Sequence, residues 1–254
     1  RFLLEQLPEL IAERMPLGGY RVEPAGSYSC RVTITLSTRQ GEVVVDYEDL
    51  PQPDETGVFR VGDVHKVVVP VADSQNLEQA SIACVGEQLY DYIERRLGHA
   101  APDLPWDAAL ARAWLPLGSW LAEFLAGSGD PVVAQPTDDA NWLAWHTHLR
   151  RLLVPRGDDV IAPGQMGRVC PFETPEGPNI GHVLTIAAGA EIRDGRLVVV
   201  EDRPEATLGL SASMIPFLEH DDANRILMGT NMLRQWIAQK QPEPALVQTG
   251  NEPD

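Results

Sequence analysis

Lysine is nearly absent from this chain: Lys66 and Lys240 are the only two among 254 residues, set against 37 acidic residues and a net charge of −17. Binding to a phosphate backbone by electrostatics alone needs a basic face, so this balance makes the chain a poor candidate for a free-standing nucleic-acid binder. Cysteine is scarce too. Cys30, Cys84 and Cys170 are odd in number and far apart, which excludes both a disulfide framework and a cysteine zinc site and points to a reducing cytoplasm. No apolar run reaches the length of a membrane span, and the N-terminus has no signal-peptide pattern. There are no internal repeats and no low-complexity tract. The chain begins at Arg1 rather than Met, as expected of a trimmed start.

What is present is ordinary in amount and uneven in arrangement. The hydrophobic fraction is 44%, enough for a sizeable core in one large or two small domains. The 21 prolines predict many fixed turns and few long uninterrupted helices. Between Leu143 and Lys240 there are 10 basic and 12 acidic residues, leaving 10 basic and 25 acidic for the rest. The later half is thus close to neutral and the acidity lies elsewhere.

Periodicity divides the chain into elements. Leu3, Leu4, Leu7, Leu10 and Ile11 predict a short helix over 1–15, strained by Pro8. From Ser29 the period becomes two, with Cys30, Val32, Ile34 and Leu36 alternating with polar residues. Val43 to Tyr47 returns as a second strand after Gly41. A loop at 51–57 leads to a strand over 65–71. Ile82, Leu89, Tyr90 and Ile93 predict a helix over 75–97, and Trp106 to Leu125 a second one kinked at Pro116. Gly127 to Asp139 reads as a linker, and 141–154 as a further helix. Val183 to Ile186 reads as a strand, and 190–200 as a hairpin turning at Asp194-Gly195. A helix over 221–239 and a short strand at 245–248 follow. The fold class is α+β, a small antiparallel sheet with helices plus a helix-and-loop module.

Two stretches carry the chemistry. In Gly167 to Gly181, Pro171, Pro175 and Pro178 fix φ while Gly177 and Gly181 permit conformations other residues avoid, making a rigid loop that presents Glu173, Glu176 and Asn179. In Ser213 to Gln235, an apolar run ends at Asp221 and Asp222, which suit a helix N-terminus. Ile226, Leu233 and Ile237 then form a stripe, with Arg225, Met228, Met232 and Trp236 beside it.

These residues resemble the beta subunit of bacterial DNA-dependent RNA polymerase, at its fork region and the start of its hybrid-binding domain. Cys170-Pro-Phe-Glu-Thr-Pro-Glu-Gly-Pro-Asn-Ile-Gly181 and Asp221-Asp-Ala-Asn-Arg225 with Met228-Gly-Thr-Asn-Met232 stand in the family's order. Gly57 to Val69 is faintly similar to the family's protrusion. The resemblance implies three stretches: a protrusion-like 1–126 in which helices replace the family's lobe, a fork-like 127–212 with a short hairpin, and the hybrid-binding start in 213–254. His148-Leu-Arg-Arg151 resembles the segment lining the RNA side of the active centre, where rifamycin-type inhibitors bind in the family. Asp138, Asn141, His148, Arg150, Arg151, Glu173, Pro175, Glu176 and Asn179 fall on positions of that pocket. The sequence departs from the pattern at Leu153, Trp142 and Trp145. By the same resemblance Arg225, with Asn224, holds the incoming nucleotide's phosphates, and Met228, Met232 and Gln235 lie near the RNA–DNA hybrid.

Plainer readings stand beside these. Arg225 pairs with Asp221 on a solvated helix face; Glu173, Glu176 and Asn179 bond the backbone of a tight loop; Arg150 and Arg151 bridge to Asp158 and Asp159; Met228 and Met232 pack in the core. Glu219-His220-Asp221-Asp222 is a cap rather than a metal cluster, and His146 and His148, two apart on a helix, diverge. No metal ligand set is expected here.

The resemblance implies service inside a polymerase, on the active-centre wall, together with beta-prime, alpha, template DNA and RNA, and away from any membrane. The chain has no Asp-x-Asp-x-Asp cluster, so Mg2+ is expected on beta-prime and the catalytic apparatus here is incomplete. Two alternatives remain open: a non-catalytic regulator or decoy docking on polymerase subunits, and an inactive structural fragment.

Overall fold

The computed structural model describes residues 2–99, 103–127, 133–157, 162–201 and 203–236. It is an α+β fold made of two compact units, residues 1–68 with 84–136, and residues 69–83 with 137–254.

The first unit is built on a three-stranded antiparallel meander, Leu17–Pro24, Ser29–Thr38 and Gly41–Pro51. Alternation does what the sequence predicts: Cys30, Val32, Ile34 and Leu36 are all buried on one face. Opposite them Val45, Tyr47 and Leu50 are buried, although 47 and 50 break the period of two. A bulge between Cys30 and Val32 accounts for this, with Asp49 at φ 53° as the extra residue that returns Leu50 to the core face. The helices Val85–Glu94, Ala108–Trp114 and Leu117–Ala126 pack their apolar sides in the same cluster. As expected, the helical run breaks at Pro116. Gly127 at φ 86° ends the last helix, where Lys66 Nζ donates to the carbonyl of Leu125 at 2.6 Å.

The predicted helix over 75–97 is shorter and begins later. Ile82–Ala83 is a strand, because its backbone pairs with Val71–Ala72. Cys84 is the N-cap, its N–H donating to Glu87 at 3.1 Å. The strand expected over 65–71 is likewise two strands, Val64–Val68 and Val71–Ala72, separated by Pro70, whose ring removes a donor. The predicted linker contains a strand, Ala134–Pro136, paired with Val64–Val68.

The second unit carries a four-stranded sheet in the order Val183–Thr185, Arg151–Leu153, Val71–Ala72, Ile82–Ala83. Here the expected helix over 141–154 is corrected: it covers only Trp142–His148 and then becomes strand. Leu152, Leu153 and Val154 are buried in succession, as in a strand covered on both faces, a pattern that a helix period imitates over so short a run. The hairpin Ala190–Arg193 with Arg196–Val199 turns where expected, Asp194 at φ 49° and Gly195 at φ 68°. A helix Ala223–Trp236 closes the described chain. The expected strand at 245–248 and Ile237 lie outside the described residues. Among the described residues no helix is long and apolar enough to cross a membrane.

Candidate functional site

Within the second unit the helix Trp142–His148, the strands Arg151–Leu153 and Val183–Thr185, the loop 173–175 and the helix Ala223–Trp236 enclose a cavity of about 160 Å3. Its walls are polar. Asp138, Arg151, Glu173, Pro175 and Gln235, five of the residues singled out in the sequence, line it together. Thr147, Thr185, Asn231 and Arg234 also line it and were not singled out. Arg234 carried one usable signal: an arginine next to Leu233 on the apolar stripe must find a buried partner or leave the stripe.

That partner is Glu173. The loop does not present this carboxylate to solvent: the side chain has no exposed surface, and it bonds backbone as in the plainer reading, but outside its own loop. Its Oε1 accepts from the backbone N–H groups of Ser211 and Ala212, each at 2.9 Å, and its Oε2 lies 3.4 Å from Arg234 Nη1. A buried carboxylate survives only with such compensation. Gly209 makes room for it, since a Cβ there would lie 2.3 Å from Glu173 Oε1. Arg234 also reaches Ser211 Oγ at 3.4 Å and Asn231 Oδ1, and Ser211 Oγ in turn lies 3.2 Å from Thr147 Oγ1. Burial pushes the Arg234 guanidinium below its ordinary value, and Glu173 opposes that shift.

Asn141 caps the helix Trp142–His148, its Oδ1 accepting from Ala144 N–H at 2.8 Å while Nδ2 donates to the carbonyl of Leu233 at 2.8 Å. His148 is buried, and its Nδ1 accepts the backbone N–H of Asp138 at 2.9 Å. Desolvation holds His148 at about 4, Arg151 adding to the depression and Asp138 opposing it. His148 is therefore neutral at physiological pH. Arg150 turns inward to the carbonyls of Ile186, Ala187 and Ala190, with two of these contacts at 3.2 and 2.9 Å. Its guanidinium is a structural tie. Asp158 and Asp159, the alternative partners, lie outside the described residues.

Other singled-out residues stand away from the cavity. Glu176 and Asn179 are exposed on the loop, and Asn179 Oδ1 accepts from Arg156 at 3.3 Å. Asn224 and Arg225 are exposed at the start of the last helix, and Asp222 caps it through the N–H groups of Asn224 and Arg225. The Asp221–Arg225 pair is not formed: Arg225 makes no ion pair among the described residues. Met228 and Met232 are 43% and 51% exposed, so the core-packing expectation for them does not hold. One helix thus offers a cation and two thioethers on its open surface. Among the described residues no group of three His, Cys, Asp or Glu side chains is placed to hold a metal ion. A second, wider cavity of about 910 Å3 in the same unit is mainly apolar, lined by Met166, Val169, Cys170, Ile180, Leu184 and the glycines of the Pro-rich loop.

Residues 135–192 match the family model of RNA polymerase Rpb2, domain 3. The match spans less than a quarter of the chain, yet it contains the strand Arg151–Leu153, the loop with Glu173 and Pro175, the buried His148 and the half-buried Arg150. It ends before the helix that bears Arg225. The finding supports a likeness of this segment to the second-largest subunits of RNA polymerase.

Proposed function

We propose that this chain is a shortened or partial RNA polymerase beta subunit of bacterial type. It shapes the active-centre wall for template-directed RNA synthesis in the cytoplasm and is catalytically incomplete alone. The observation that carries this reading is the coincidence of the matched segment with the polar cavity: Asp138, Arg151, Glu173 and Pro175 come from within residues 135–192 and converge on one small site.

In this reading the chain supplies surface and charge, while beta-prime contributes the Mg2+ and alpha the assembly platform. Arg225 meets the phosphates of the incoming nucleotide, since its guanidinium is exposed and can pair two oxygens at once. Arg151 faces RNA from the cavity wall; Arg150, bound to three carbonyls, holds the wall's shape. Met228, Met232 and Gln235 flank the hybrid. A buried, neutral His148 supports the Asp138 loop rather than meeting phosphate.

One observation favours a second reading. Each unit carries more acidic than basic residues, 18 against 10 in the first and 19 against 10 in the second, which suits a decoy or regulator bound to basic polymerase surfaces. A reconstitution separates the two. The chain is mixed with beta-prime and alpha lacking beta, and RNA synthesis is measured on a primed template. Synthesis supports the subunit reading. Stable binding without synthesis, together with inhibition of the complete enzyme, supports the regulator and overturns it.

A further inference from the structure

We propose that Arg234 is a positioning residue: clamped to the buried Glu173, it fixes the helix Ala223–Trp236 and thereby aims Arg225. The inference rests on the nucleotide-phosphate role proposed above for Arg225.

Two kinds of contact hold this helix. Near its start, Ile226 packs with Cys170 and Ala212 in a small apolar cluster. Apolar burial is non-directional and leaves the helix free to roll about its axis. Near its end the contacts are directional. Arg234 reaches Glu173 and Ser211, and the carbonyl of Leu233 accepts from Asn141 Nδ2. A planar guanidinium fork sets an orientation as well as a distance. Glu173 in turn is pinned to the backbone of Ser211 and Ala212, so the clamp joins the loop, the 211–212 turn and the helix.

Arg225 lies nine residues before Arg234, about 14 Å along a helix rising 1.5 Å per residue. Its exposed side chain has no ion pair of its own among the described residues, so the point from which it reaches is set by the helix alone. A small roll released at Arg234 displaces the Arg225 guanidinium at the helix surface, and a misplacement of about 1 Å costs up to a hundredfold in a positioned contact.

The test uses the reconstituted polymerase containing the full chain, with Arg234→Met, Arg234→Lys, Arg225→Ala and the double variant. Nucleotide dependence of RNA synthesis and amide hydrogen exchange over 226–236 are both measured. The expected result for Arg234→Met is a rise of about tenfold or more in apparent KM for nucleoside triphosphate, with kcat within about twofold, and faster exchange in the helix. Arg234→Lys restores part of the KM, and the double variant is no worse than Arg225→Ala, because both act on one contact. Additive KM effects, or an unchanged KM with only a lowered Tm, overturn the proposal. If Arg234→Met fails to fold, the Arg234→Lys pair with Arg225→Ala decides by the same non-additivity. An inactive unaltered assembly overturns the functional reading; faster exchange in Arg234→Met then marks the clamp as purely structural, and unchanged exchange removes the clamp itself.

Discussion

The two units are stabilised in different ways. In the first, strands of 8, 10 and 11 residues lay one apolar face on helices, and the core is an aliphatic and aromatic cluster. In the second, most strands are two to four residues long, and all seven buried polar or charged residues of the described chain lie there: Asn141, Thr147, His148, Glu173, Thr185, Ser211 and Thr230. Apolar burial is tolerant, since neighbours relax around a lost methyl group. A buried polar network is not, because each deletion strands a partner without water. The site sits in the less tolerant unit, where shape is held by pairing rather than by bulk.

Four measurements sharpen or break this contrast. Glu173→Ala leaves the largely enclosed Arg234 charge without its carboxylate, and a loss of about 3 kcal/mol is expected in denaturant unfolding, with exchange protection falling in the second unit. A loss under about 1 kcal/mol would mean that pairing does not hold that unit. Leu36→Ala, in the first unit, empties a fully buried site and is expected to cost about 3 kcal/mol, read as lost protection along the meander.

His148 gives a pH signature. Its folded value of about 4 lies below the ordinary 6.5, so the unfolded chain binds more protons between these limits. The stability that depends on neutral His148 is complete above pH 6.5 and is lost as pH falls toward 4, by about 3 kcal/mol in all. Thermal melts across that window should show the loss, and His148→Gln, which keeps an acceptor for the Asp138 N–H, should flatten it. A flat profile in the unaltered protein would place His148 in water. The smallest effect is expected for Arg225→Ala, under about 0.5 kcal/mol, because that side chain is exposed and unpaired. A loss of several kcal/mol there would show that the helix surface is structural and would remove the nucleotide reading.

Much of the first unit was legible because one rule governs it. Cys30 to Leu36 alternate without exception, and the core takes every second residue. Asp194-Gly195 was legible for a different reason: few residue pairs accept two positive φ values, so the turn is written in its residue types. The failures share a cause. Ile82 and Leu152 sit in apolar runs too short for their period to separate helix from strand, and only pairing with Val71–Ala72 and Val183–Thr185 decided them. For Glu173 the sequence leaves two readings, a displayed carboxylate or one bonded to the backbone of its own loop, and the backbone groups it accepts from belong to another turn. Nothing local announces that Ser211, Ala212 and Arg234 converge on it from 38 to 61 residues away. Of the site, residue types and their order were visible in the loop and in the His148–Arg151 segment, while the separation of buried from displayed members was not.

Composition alone determined that the chain has an ordinary core and a strongly acidic balance, and its motifs pointed to the polymerase second-largest-subunit family. Those properties depend on residue types, counts and order, which the chain carries whether folded or not. The tertiary structure decided which arginine is a tie and which is free: Arg150 and Arg234 are half-buried and held by partners distant in sequence, and Arg225 is left exposed on the open face of its helix. A charge is committed or available according to the desolvation and pairing around it, and those exist only once the chain has closed.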